Sequence, residues 1–160
     1  MLSQVRLTSR PKGAPLVPLD GNLALAAPGP ADWPSLKARG IGAVVDLGDA
    51  APGRAAAARG SGLRYLALPV GPEHLPLRGE LYVAISWLEK RAAEGTSGLI
   101  ADPSGRDSDC MLAMALLIGR GWEFERAYER MRRVRAGFGL AAWQSRALLL
   151  HLAQQEAAKA

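Results

Sequence analysis

Gly98-Leu99-Ile100-Ala101-Asp102-Pro103-Ser104-Gly105-Arg106-Asp107-Ser108-Asp109 decides the fold. An apolar run short enough to be a buried strand ends at Ala101. A polar loop with Gly105 near its middle follows, and then the strongly apolar helix pattern Cys110 to Ile118. A strand feeding a helix through such a loop aims backbone N–H groups and the positive end of a helix dipole at one point, which suits an anion. The same pattern also describes an ordinary strand-to-helix turn in which Ser108 or Asp109 caps the helix.

Outward from this loop, strands and helices alternate. Leu23 to Ala26, Ile41 to Leu47, Leu63 to Val70 and Gly98 to Ala101 are strand candidates. Helical patterns cover Ala31 to Arg39, Glu80 to Ala93 with Leu81, Ile85 and Leu88 on one face, Cys110 to Ile118, Phe124 to Val134, and Leu140 to Gln154. Such alternation predicts an α/β fold with a mostly parallel central sheet flanked by helices, and a ligand site beyond the carboxyl ends of the strands. Residues 1–14, closing on Arg10-Pro11-Lys12-Gly13-Ala14, have no apolar period and read as an extended N-terminal arm. Residues 15–160 then form a single domain.

Composition narrows the class. A chain of 160 residues with 49% hydrophobic and 22% charged residues and a mean hydropathy of +0.01 can bury a core, which excludes disordered, collagen-like and disulfide-miniprotein classes. No apolar run reaches the ~18 residues a membrane span needs, and Met1 to Gly21 lacks the layout of a secretory signal, so a cytoplasmic location is expected. One cysteine, Cys110, and two histidines, His74 and His151, leave neither an internal disulfide nor a structural zinc site. The 16 arginines, 4 lysines and single Asn22 suggest a high-GC, heat-adapted source. The net charge of +5 is spread among acids, so neither nucleic acid nor membrane is an expected partner.

Several motifs together resemble one family. Ala101 to Ser108 falls in register on the signature His-Cys-x-x-Gly-x-x-Arg, followed by Thr/Ser-Gly and a buried helix, of the small dual-specificity phosphatases, which are cysteine-dependent protein tyrosine phosphatases. Met111-Leu112-Ala113 and Arg120-Gly121 resemble the helix after it. Upstream, Asp20 to Ala24, Leu36 to Ile41 and Val44-Val45-Asp46-Leu47 resemble the family's opening strand, first helix and second strand. Downstream, Ala127 to Gly137 resembles Ala-x-x-x-Val-Arg-x-x-Arg-Pro-Gly, and Gln144 a later family Gln. The resemblance covers roughly Pro15 to Gln155 and implies the cysteine-phosphatase fold.

It also implies what is missing. In the family a cysteine thiolate attacks phosphorus, a loop arginine clamps the phosphoryl oxygens, and an aspartate on a neighbouring loop protonates the leaving oxygen. Here Asp102 stands at the nucleophile position, Ser108 at the arginine position, Ala101 at the histidine position and Pro72 at that of the acid. Cys110 cannot substitute, because Leu116 and not arginine lies six residues beyond it, and its neighbours make it a buried structural thiol. The expected function is that of a catalytically inactive phosphatase-like binding or regulatory module. Its ligand-binding candidates are Asp102, Pro103, Ser104, Gly105, Arg106, Asp107 and Ser108. The protein or small-molecule partner is unknown, and no cofactor or metal is expected.

The alternative is a phosphatase or phosphotransferase of unusual mechanism. Asp102 would be its nucleophile, since Asp102-Pro103-Ser104-Gly105 faintly resembles the haloacid-dehalogenase-like enzymes, or Glu73 would be a shifted acid with His74 beside it. Asp102, Asp107 and Asp109 have the oxygens a divalent cation uses, but Arg106 among them argues for a helix start instead. Phe124 to Arg135 sets Phe124, Ala127, Met131 and Val134 on one face and Arg126, Arg130 and Arg133 on another, with Glu129 expected to pair with Arg133. Trp33, Trp87, Trp122 and Trp143 are too scattered for a base-stacking platform. Finally, the Asp102 carboxylate is expected to accept the loop amides from Ser104 to Ser108, closing the cradle from within and making the fold acid-sensitive.

Overall fold

A computed structural model describes residues 16–27, 31–48, 53–69, 78–103, 107–139, 148 and 152. The elements are β1 (Leu16–Asp20), β2 (Leu23–Ala26), α1 (Trp33–Ala38), β3 (Ile41–Asp46), α2 (Arg54–Gly60), β4 (Arg64–Ala67), α3 (Arg78–Ala93), β5 (Ser97–Ala101), α4 (Ser108–Gly119) and α5 (Phe124–Val134). They build one five-stranded sheet in the order β1-β2-β5-β3-β4. β2, β5, β3 and β4 run parallel, and only β1 is antiparallel, paired with β2. This is the mostly parallel, helix-flanked α/β sheet that the alternation predicts.

Alternation along the strands sorts the core into two layers. Leu99 and Ala101 of β5 and Val44 of β3 pack with Trp33 and Leu36 of α1 and Ala58 of α2 on one face. Ile100 and Val45 pack on the other with Leu81, Ile85 and Leu88 of α3, Ala127 and Met131 of α5, and nearly all of α4. From Ser108 to Leu117 every residue of α4 is buried. A helix apolar on all sides must lie at the centre of its layer, here between the sheet and the neighbours α3 and α5.

Two elements lie where the sequence pattern shows none. β1 carries Pro18, which argues against a strand, yet as an edge strand it leaves the missing N–H on the unpaired side. α2 reads Arg-Ala-Ala-Ala-Ala-Arg-Gly, which has strong helix propensity but no apolar contrast to reveal a period. The strand expected over Leu63 to Val70 is shorter, Arg64–Ala67. Of the helix expected over Leu140 to Gln154 only Leu148 and Leu152 are described, both helical and both packed on the larger cluster. Glu129 pairs with Arg132, three residues on, in place of Arg133.

Candidate functional site

β5 is buried along its whole length, and it ends against β3, where the Leu47 amide donates to the Ala101 carbonyl at 2.8 Å. One residue later Asp102 is 2% exposed. Strand alternation places it on the face of Ile100, toward α4 and α5, and its negative charge there helps raise the pKa of the Asp109 carboxyl. Pro103 follows, packed so closely on the segment just after β3 that a Cβ on Gly48 would meet its Cδ at 2.9 Å. Glycine at 48 lets the loop approach the sheet.

The helix α4 opens at Ser108, with Asp107 as its N-cap in a left-handed conformation (φ 66) and no side-chain cap bond. Asp107 is the sole non-glycine residue with positive φ among the described residues, in a region that aspartate tolerates better than most. Ser108 and Asp109 are therefore first-turn residues and not caps, which corrects the expectation of an ordinary capped turn. Both are buried, Asp109 completely.

Burying a carboxylate at a helix start requires a partner, and Arg135, just past the end of α5, supplies one. Its Nη1 donates to Asp109 Oδ1 at 2.5 Å, its Nη2 to Oδ2 at 2.7 Å, and Nη1 also to Asp107 Oδ1 at 3.1 Å. The Cys110 amide donates to Asp109 Oδ1 at 2.8 Å. Burial, with the Asp102 charge added, pushes the Asp109 carboxyl above its usual range against the pull of Arg135. The bond to Asp109 pushes the Arg135 guanidinium up against its own burial, so it stays charged. Burial first, then the Asp109 charge, holds the Cys110 thiol far above its ordinary value, as an inert structural cysteine requires. Oxygen atoms of Asp107 and Asp109 and the Cys110 sulfur lie within 4.8 Å of one another, a spacing open to a metal ion, but Arg135 already spans both carboxylates.

The loop candidates thus divide. Asp102, Pro103, Asp107 and Ser108 are brought together at the carboxyl end of β5 and the start of α4. Ser104, Gly105 and Arg106, together with Pro72, Glu73, His74, Trp143 and His151, lie outside the described residues. Most of the amides expected to face Asp102 are therefore also outside them. Of the helix amides, Cys110 receives a carboxylate, from Asp109.

A second polar centre lies on the opposite face of the sheet, one strand away. Asp46, 1% exposed at the end of β3, accepts from the Gly48 amide at 2.9 Å, from Arg54 Nε and Nη2 at 2.9 and 2.6 Å, and from the Tyr65 hydroxyl at 2.5 Å. Arg54 also stands over the Trp33 ring, and Trp33 meets Tyr65 edge to face. Sequence reading passed over this centre, although an aspartate inside Val44-Val45-Asp46-Leu47 is a signal in itself. An acid in a buried strand demands a cation, and Arg54 is near in sequence.

No protein-family model and no curated protein matches the chain. Solved structures do. The chain is similar to Tk-PTP in the active form, 26% identical with a TM-score of 0.75, covering 85% of this chain and 95% of that one. It superposes on PTPMT1 in complex with PI(5)P at 16% identity and a TM-score of 0.77 over 91% and 99% of the two chains. Human DUSP28 matches at 20% identity and a TM-score of 0.64 over 95% and 100%. Its structural neighbours are dual-specificity and protein tyrosine phosphatases, and the chain has the fold of that family.

Proposed function

We propose that this protein is a pseudophosphatase, a dual-specificity-phosphatase fold that acts by binding and not by turnover. The observation that carries the reading is the charge at the carboxyl end of β5. Asp102 is buried there, and Asp107 and Asp109 flank Ser108; the resemblance aligns Asp102 with the family's nucleophile and Ser108 with its arginine clamp. Arg135 is held by two of these carboxylates and is not free to clamp a ligand. A carboxylate ~4 Å from a phosphate charge opposes it by ~4 kcal/mol per charge pair at an effective dielectric near 20. An absent arginine removes charge-assisted hydrogen bonds worth ~1.5 to 3 kcal/mol each. Both effects weaken phosphate binding, and the second also removes stabilisation of a transferring phosphoryl group.

The reading is tested by restoring the family residues. Asp102→Cys with Ser108→Arg should gain vanadate or phosphate binding that the native chain lacks, measured by calorimetry, and Pro72→Asp added to them should favour slow turnover. A folded double variant that binds neither anion would mean that Asp102 and Ser108 do not occupy the thiolate and arginine positions.

A further inference from the structure

A sheet of five strands has two edges, and each edge presents backbone groups that a further strand could pair with. Among the described residues those edges are β1 and β4. β1 is hazardous by composition, since Leu16-Val17-Pro18-Leu19 is a run of apolar residues on an open edge. It is also irregular. Pro18 offers no N–H, and the pairing with β2 shifts register between Pro18 and Asp20. The carbonyls there are already taken by side chains: Arg130 Nη2 of α5 donates to Pro18 O at 2.7 Å, and Arg120 Nη1 donates to Asp20 O at 3.0 Å. On β4 the Leu68 amide faces β3, where it donates to Asp46 O, so by alternation the Tyr65 carbonyl faces the free edge. It is met there by Arg59 Nη2 at 3.5 Å, with the guanidinium lying over the Tyr65 ring.

We infer that Arg130 and Arg59 are edge guards, side chains that occupy the free carbonyls of the sheet and keep a second copy of this chain from adding its own edge strand. The excluded partner is a second copy because β1, the longer and more apolar of the two edge strands, is its own apolar complement. Two copies related by a twofold axis would set β1 antiparallel to β1 and join the sheets. Arginine suits the task because its fork satisfies a carbonyl while its charge opposes the same charge on an approaching copy. Arg130 guards the more hazardous edge at the shorter distance, and Arg59 the shorter strand at a longer one.

The test is self-association of the full chain, followed by sedimentation over a range of concentrations with amide hydrogen exchange on the same samples. Arg130→Ala with Pro18→Val should associate at a concentration at least tenfold below that of the native chain, with new protection confined to β1 amides. Arg59→Ala should shift association less and protect β4. Arg130→Ala alone removes no buried side chain, so it carries the test if the double variant fails to fold. Folded variants that associate no more than the native chain, or that do so without protecting β1 or β4, would overturn the inference.

Discussion

Arg135→Ala lowers the stability of this fold by about 3 to 5 kcal/mol, because it leaves the fully buried Asp109 carboxylate without its cation. For a chain of this length that is a fall in Tm on the order of 10 °C. The loss has a pH signature with a definite sign. Burial already holds the Asp109 carboxyl above its usual range, and removing Arg135 removes the largest opposing pull. A carboxyl raised in the folded state stabilises the fold below the ordinary carboxylate pKa and loses that contribution as pH rises through the folded value. The variant should therefore be weakest near neutrality and approach the native chain as the pH falls. Thermal unfolding of both proteins across the acid range checks this, and Arg135→Ala with Asp109→Leu should recover part of the loss. A single variant as stable as the native chain at neutral pH would show that the pair does not hold the start of α4.

Asp46→Ala costs about 3 kcal/mol, since it strips the acceptor from the Tyr65 hydroxyl and from Arg54 at once. Arg54, a quarter exposed, can turn to water, which keeps the loss below that of a wholly buried pair. Burial, then the hydrogen bond to Asp46 and its charge, hold the Tyr65 phenol up at about 12. Its neutral form is favoured by the fold, so this contribution is complete below the ordinary phenol pKa of ~10 and is lost as pH rises through about 12. Tyrosinate absorbance should show one late-titrating tyrosine in the native chain and an earlier one in the variant. Unchanged tyrosine titration in Asp46→Ala would mean that the carboxylate does not set the phenol's environment.

Much of this fold was legible because its elements advertise their burial. Ile41 to Leu47 and Gly98 to Ala101 are apolar enough to be strands buried on both faces, and Phe124 to Val134 has a helical period that matches the observed helix. β1 and α2 were not legible, since a proline hid one and a run of alanines the other. The position of Asp102 followed from strand and loop order. The Asp109–Arg135 ion pair at the start of α4 did not, because Arg135 lies 26 residues from Asp109 in sequence and only the packing of α5 on α4 brings them together. Arg135 lies in the stretch that resembles the family's Arg-x-x-Arg, which was a signal of position but not of partner. Asp46 lies in the stretch that carries the resemblance, and its charge inside an apolar strand is itself the signal, since a buried carboxylate without a partner is too costly for a strand to keep.

A phosphatase fold kept with its chemistry replaced is tested most directly by turnover of an aryl phosphate and of a phosphotyrosine peptide by the native chain, with and without Mg²⁺. The expected result is hydrolysis at the buffer rate under every condition. Saturable turnover without metal, lost on Asp102→Asn or Glu73→Gln while the fold survives, would contradict it and establish an enzyme that works without the family's cysteine.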